Sequence, residues 1–198
     1  EVRADGADSL EALALGSQGE VYAGGYRTTT GQGNNWYLKK YDQGGGEISA
    51  NWNIEINGSS SGFDRALSSA VLPDDSIYYI GALSQTGSGE DWSIRKYNAD
   101  GVEDTVNWDL AFDGGASGDD RPQDIAIEAT TGNVYVVGYK NISGPDDDWW
   151  LKKFDASGNE DTVHWDLTFD AVSNLRDPAL SVAISTDGSL FVTATRTT

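Results

Sequence analysis

The chain has 198 residues carrying 13 Lys plus Arg against 32 Asp plus Glu, a formal net charge of −19, with one histidine and neither cysteine nor methionine. Without cysteine there is no disulfide, thiolate nucleophile or cysteine-held metal, and with His164 alone there is no multi-histidine site and a single base for any serine triad. The charge opposes nucleic acid and anionic membrane surfaces, whose phosphates call for clustered Lys and Arg, and no apolar run reaches the roughly 20 residues of a transmembrane helix.

In chain order the predicted elements are short strands joined by turn residues. Residues 13–15, 21–26, 36–41 and 52–56 read as the first four, with turns at Gly16, Gly19 and Gly44 to Gly46. A second set follows at 69–71, 77–82, 92–97 and 108–112, and a third at 125–127, 134–139, 149–154 and 165–169. A fourth set holds only 182–184 and 190–195. The last strand of a set alternates, with Trp108, Leu110 and Phe112 on one face and Asp109, Ala111 and Asp113 on the other. No stretch carries a helical period.

The sets are copies of one unit. Trp36, Trp92 and Trp149 are spaced by 56 and 57 residues, and Trp52, Trp108 and Trp165 repeat the same two spacings. Gly25, Gly81 and Gly138 keep the period, as do Lys40, Lys96 and Lys153, and Asp64, Asp120 and Asp177. Ala14, Ala70, Ala126 and Ala183 mark the first strand of each copy. Tandem four-stranded units of about 40 to 60 residues predict an all-β fold, a β-propeller of four-stranded blades. Its blades fall at about 7–63, 64–120 and 121–177, with one hairpin over 178–198. Three blades and a hairpin are too few to close a ring, so the expectation is a segment of a larger propeller, or copies that share one.

The run Asp91-Trp92-Ser93-Ile94-Arg95-Lys96-Tyr97-Asn98-Ala99-Asp100-Gly101, followed by Phe112-Asp113-Gly114-Gly115 and Asp119-Asp120, resembles a known kind of repeat. It is similar to the tandem β-propeller repeats of bacterial secreted proteins, the SBBP-type repeats and the related sixty-residue repeats of deltaproteobacteria. The resemblance covers essentially the whole chain. It implies a propeller fold and a secreted, extracellular or cell-surface location, and it implies no particular chemistry.

Loops that differ between copies are where a repeat scaffold carries individuality. The expected loops 27–35, 84–91 and 140–148, with 58–65, 113–121 and 171–177, share one end of the units. Asp146, Asp147 and Asp148 are consecutive in one of them and are the candidate metal ligands, because calcium takes 6 to 8 hard oxygens. Asp119 and Asp120, in a Gly-rich loop with Asp113, and Trp150, whose counterparts are Tyr37 and Ser93, are candidate ligand-binding residues. Against these stands the plainer reading of a solvated acidic surface and a larger core side chain. The recurring Lys and Asp series reads as an ion pair or backbone anchor in each unit. His164 has no nucleophile or orienting partner nearby in sequence, so no catalytic residue is assigned.

The leading expectation is a non-catalytic scaffold whose partners are a protein or polysaccharide at the cell surface, or further copies of itself, with calcium as the one cofactor the composition suits. The competing expectation is a carbohydrate-binding or carbohydrate-active propeller. That chemistry would use Trp150 with Asp146 to Asp148, or paired carboxylates across the loop face about 5 to 9.5 Å apart. Asn57 and Asn141 begin Asn-x-Ser triplets near the loop end, which a glycosylating host could modify.

Overall fold

The structure, a computed structural model, describes residues 7–143, 146–170 and 176–196. All regular elements among them are strands, in four antiparallel sheets of 4, 4, 4 and 2 strands that follow one another along the chain. The first sheet holds β1 (Ser9–Leu15), β2 (Val21–Thr29), β3 (Gly33–Tyr41) and β4 (Ile54–Ile56). The second holds β5 (Arg65–Val71), β6 (Ile77–Gln85), β7 (Gly89–Tyr97) and β8 (Leu110–Phe112). The third holds β9 (Arg121–Ile127), β10 (Val134–Ser143), β11 (Asp146–Phe154) and β12 (Leu167–Phe169), and the last β13 (Ala179–Ile184) and β14 (Leu190–Ala194). Within each sheet the strands neighbour one another in sequence order, in the four-stranded sheets the first three joined by short hairpin turns and the third and fourth by a longer connection.

Three features differ from the sequence expectation, the first being that the first strands start three or four residues earlier than predicted, at Ser9, Arg65, Arg121 and Ala179. The second and third strands of each unit run further than predicted, with Thr29 pairing Gly33, Gln85 pairing Gly89 and Ser143 pairing Asp146. Most of the expected loops 27–35, 84–91 and 140–148 is therefore ladder. Gly31 and Gly33, at φ of 82° and 85°, supply the left-handed backbone that lets the first of these hairpins turn so tightly. The fourth strands are correspondingly shorter, only three residues each, and Trp108 and Trp165 precede them in a single helical turn. The Trp108 N–H donates to the Asp104 carbonyl and the Trp165 N–H to that of Asp161, both at 3.0 Å. Asp104 and Asp161 also accept from the backbone N–H groups of Asn107 and His164, which caps the turn against strand formation.

The sheets stack through their first strands, β1 against β5, β5 against β9 and β9 against β13. An apolar core fills each gap. Tyr22, Trp36, Leu38 and Trp52 of the first sheet meet Ala66, Ile77 and Tyr79 of the second, and the later gaps repeat the pattern. Each gap is also bolted by a polar contact: the indole Nε1 of Trp36 donates to Ala82 O at 2.7 Å, that of Trp92 to Tyr139 O at 2.9 Å, and that of Trp149 to Thr195 O at 3.3 Å. The acceptors are the same position of successive units, so one residue type repeats one joint.

Candidate functional site

The recurring acids and lysines do not pair with each other. Asp64 and Asp120 are fully buried just before β5 and β9, and each carboxylate accepts two backbone N–H groups: Gly58 and Ser84 for Asp64, at 2.7 and 2.6 Å, and Gly114 and Asn141 for Asp120, at 2.5 and 2.6 Å. Their own N–H groups donate to Asn34 O and Glu90 O, and that of Asp177 to Asp147 O. The series is a backbone anchor that ties the start of one sheet to the third strand of the sheet before it. Lys40, Lys96 and Lys153 lie at the other end of the third strands, roughly 20 Å away along the ladder. Their ammonium groups sit 4.8, 5.1 and 5.3 Å from the ring centres of Tyr22, Tyr78 and Tyr135. These are cation–π contacts, which an aromatic face supports without a carboxylate.

The candidate ligand residues separate. Trp150 is 4% exposed, with its ring 4.7 Å from that of Trp92 and its Nε1 donating to Asp166 at 2.7 Å, so it fills the core instead of offering an exposed platform. Ser93 and Tyr37 occupy its column in the other sheets, and the larger ring takes up the gap between the second and third. Asp119 is exposed and pairs with Arg121 at 2.9 Å, whereas Asp120 is the buried anchor described above.

Asp146, Asp147 and Asp148 open β11 and do not form a loop. Consecutive strand residues point to opposite faces, which sends Asp147 and Asp148 apart. Asp147 accepts from the Asn141 amide at 2.9 Å and pairs with Arg176, and Asp148 is buried on the other side. The side chain of Asp146 lies outside the described part of the structure. His164 is exposed, with Nδ1 3.2 Å from Asp161.

The structure brings together a different set. Asp91 near the start of β7, Asp113 just after β8 and Asp120 just before β9 each place a carboxylate oxygen within 4.8 Å of the other two. Asp91 is only 8% exposed; its Oδ2 accepts from the Ser88 hydroxyl at 3.0 Å, and its buried Oδ1 has no hydrogen-bond partner. Asp113 is exposed, with Oδ1 accepting from the Gly115 N–H at 2.7 Å. Among the described residues no Lys or Arg forms an ion pair with any of the three.

Burial pushes the Asp120 carboxyl up to about 6, against the pull of the Gly114 and Asn141 N–H groups and with further pushes from Asp113 and Asp91. Burial also raises Asp91, opposed by the Ser88 hydroxyl and reinforced by Asp113. Sequence reasoning had Asp120 and noted Asp113 in the same loop, but passed over Asp91. Reading the aligned columns would have found it, because the three positions are Asn35, Asn57 and Asp64 in the first unit and Asp148, Asp170 and Asp177 in the third.

A carboxyl whose folded pKa exceeds its unfolded value of about 4 binds protons preferentially in the folded state. Its stabilising contribution is full below about pH 4 and is lost as the pH rises through about 6. Without divalent ions, Asp120 is therefore expected to make the fold about 1–2 kcal/mol more stable at pH 4 than at pH 7, the full linkage value being reduced for screening by solvent. Melting curves of the chain and of Asp120→Asn from pH 4 to 7 check this through the difference in slope, and equal slopes would exclude it.

No protein-family model matches the chain, and no curated protein matches its sequence.

Proposed function

We propose that the chain is a run of β-propeller blades from a secreted or cell-surface protein, working as a non-catalytic scaffold whose terminal sheets associate head to tail with sheets of the same kind. The observation that carries this reading is the exposure, among the described residues, of large apolar side chains on the first and last sheets. On β1, Leu10, Leu13 and Leu15 are exposed, Leu13 by 66%. Of their counterparts, Ala66 and Val71 in the second sheet and Ile125 and Ile127 in the third pack in the core against the sheet before them. On β14, Phe191 is 61% exposed, although its counterparts Tyr22, Tyr78 and Tyr135 are each stacked on a tryptophan within a core. The incoming face of the first sheet therefore has the chemistry of one side of an internal gap, and Phe191 supplies the second-strand part of the other side, the described last sheet having two strands.

Such a contact is heterologous: the two surfaces differ, and repetition gives a ring or an open chain. The occupant proposed for each face is a further sheet of the same kind, which a second copy of this chain can supply. Static light scattering of the purified chain across a concentration series is expected to show association. Leu13→Asp and Phe191→Asp, each blocking one face, are expected to be monomeric alone and to give a one-to-one dimer when mixed, since each keeps the face the other lacks. A chain that stays monomeric at every concentration would overturn the reading. A monomer that bound a glycan array would favour the carbohydrate-binding alternative, which has lost Trp150 as its stacking surface.

A further inference from the structure

We propose that Asp91, Asp113 and Asp120 form a binding site for a hard divalent cation of the calcium class, held between the second and third sheets. Two oxygens that share one ion at about 2.4 Å lie no more than about 4.8 Å apart, and the three carboxylates meet that limit. All the side-chain donors are carboxylate oxygens, with no nitrogen or sulfur ligand to favour zinc or copper, and the exposed side of the cluster at Asp113 leaves room for water to complete 6 to 8 ligands.

The second observation is Asp91 itself. A buried carboxylate oxygen without a donor is costly, and Asp91 Oδ1 has none, although its carboxylate converges with the other two acids. The first unit shows how the same place is built without such a cluster. There Asn35 and Asn57 stand in the columns of Asp91 and Asp113, and the Asn35 amide donates to Gln32 at 2.9 Å and to Glu55 at 2.7 Å while its Oδ1, like Asp91 Oδ1, is buried without a donor, so what the second unit adds to this column is carboxylate charge on the unpaired oxygen. Asp64 keeps its two backbone anchors in that unit, so the anchor serves the fold and the two added acids are extra to it.

The site differs in position from the sequence-predicted one at Asp146 to Asp148, which open β11, and the proposal does not depend on head-to-tail association. Its test uses the first unit as a template: the double variant Asp91→Asn/Asp113→Asn places in the second unit the residues that the first already carries. The full chain, stripped with chelator, is titrated with calcium chloride by calorimetry beside the variant. Because Asp148, Asp170 and Asp177 repeat the acids in the third unit, the readout is the difference between the two proteins. The expected result is one fewer calcium in the variant, with a melting midpoint in chelator equal to or above that of the parent, because mutual repulsion has been removed. Asp113→Asn alone, at an exposed side chain, is expected to weaken the same site at least about tenfold while leaving the fold intact. Equal stoichiometry and affinity in parent and variants, or no binding by the parent up to about 10 mM calcium, would overturn the proposal.

Discussion

Replacing Trp92 by alanine is expected to cost about 4 kcal/mol or more and to lower the melting temperature by about 10 °C or more. The indole is fully buried between the second and third sheets, 4.7 Å from the Trp150 ring, and its Nε1 donates to Tyr139 O at 2.9 Å. The substitution thus opens a cavity and strips a buried carbonyl of its donor, two penalties that add because one side chain supplies both contacts. Trp36→Ala should match it, since Trp36 is equally buried and donates to Ala82 O at 2.7 Å. Trp149→Ala should cost clearly less, because that ring is half-buried and its bond to Thr195 O is 3.3 Å. Denaturant melts of the three variants check the order. A Trp149 variant as damaged as the Trp92 one would mean that the repeated indole acts within its own sheet and not across the gap.

That order follows from what the sequence could and could not convey. The 56- and 57-residue spacings of tryptophan, glycine and aspartate identify the repeating unit and its four strands, because every copy must satisfy the same ladder and the same gap. Which acids meet was not legible in the same way. Asp146, Asp147 and Asp148 look like a cluster when read along the chain, but a strand sends neighbours to opposite faces. Asp91, Asp113 and Asp120 lie 22 and 7 residues apart and converge only because a third strand, a fourth strand and the next first strand share one end of a gap. The lysines misled for a related reason: Lys40 and Asp64 share a period, yet a period fixes a column in the repeat and not a contact. Trp150 was ambiguous because its columns hold Tyr37 and Ser93, and only the packing of the second gap shows the extra volume to be interior.

Gly81→Ala is expected to destabilise by more than about 3 kcal/mol, through crowding and not through lost backbone freedom. A Cβ at Gly81 would lie 2.0 Å from Arg65 O, 2.7 Å from Cζ2 of Trp36 and 2.9 Å from the Ala66 Cα. The column recurs: at Gly25 the Cβ would meet Ser9 O at 2.0 Å, and at Gly138 Arg121 O at 2.2 Å and Trp92 Cζ2 at 2.9 Å. In each four-stranded sheet this glycine lies where the pairing of the first and second strands slips by a residue, between Leu10 and Ala12, between Ala66 and Ser68, and between Val137 and Gly138, whereas the two-stranded sheet carries Ala194 at its slip between Ala179 and Ser181, under the half-buried Trp149. Such a bulge brings the first strand's backbone against the second, and in the second and third sheets the indole of the sheet before closes over the same spot. Gly45→Ala is the contrasting variant: its φ of 83° imposes strain, but nothing lies within 4 Å, so a cost of only about 1 kcal/mol is expected. The double variant Gly81→Ala/Trp36→Phe separates the two neighbours at Gly81. Trimming the indole removes the 2.7 Å contact but leaves the 2.0 Å contact with the Arg65 carbonyl, so stability should not return. A melting midpoint in that double variant equal to that of Trp36→Phe alone would show that the glycine serves the tryptophan and not the bulge.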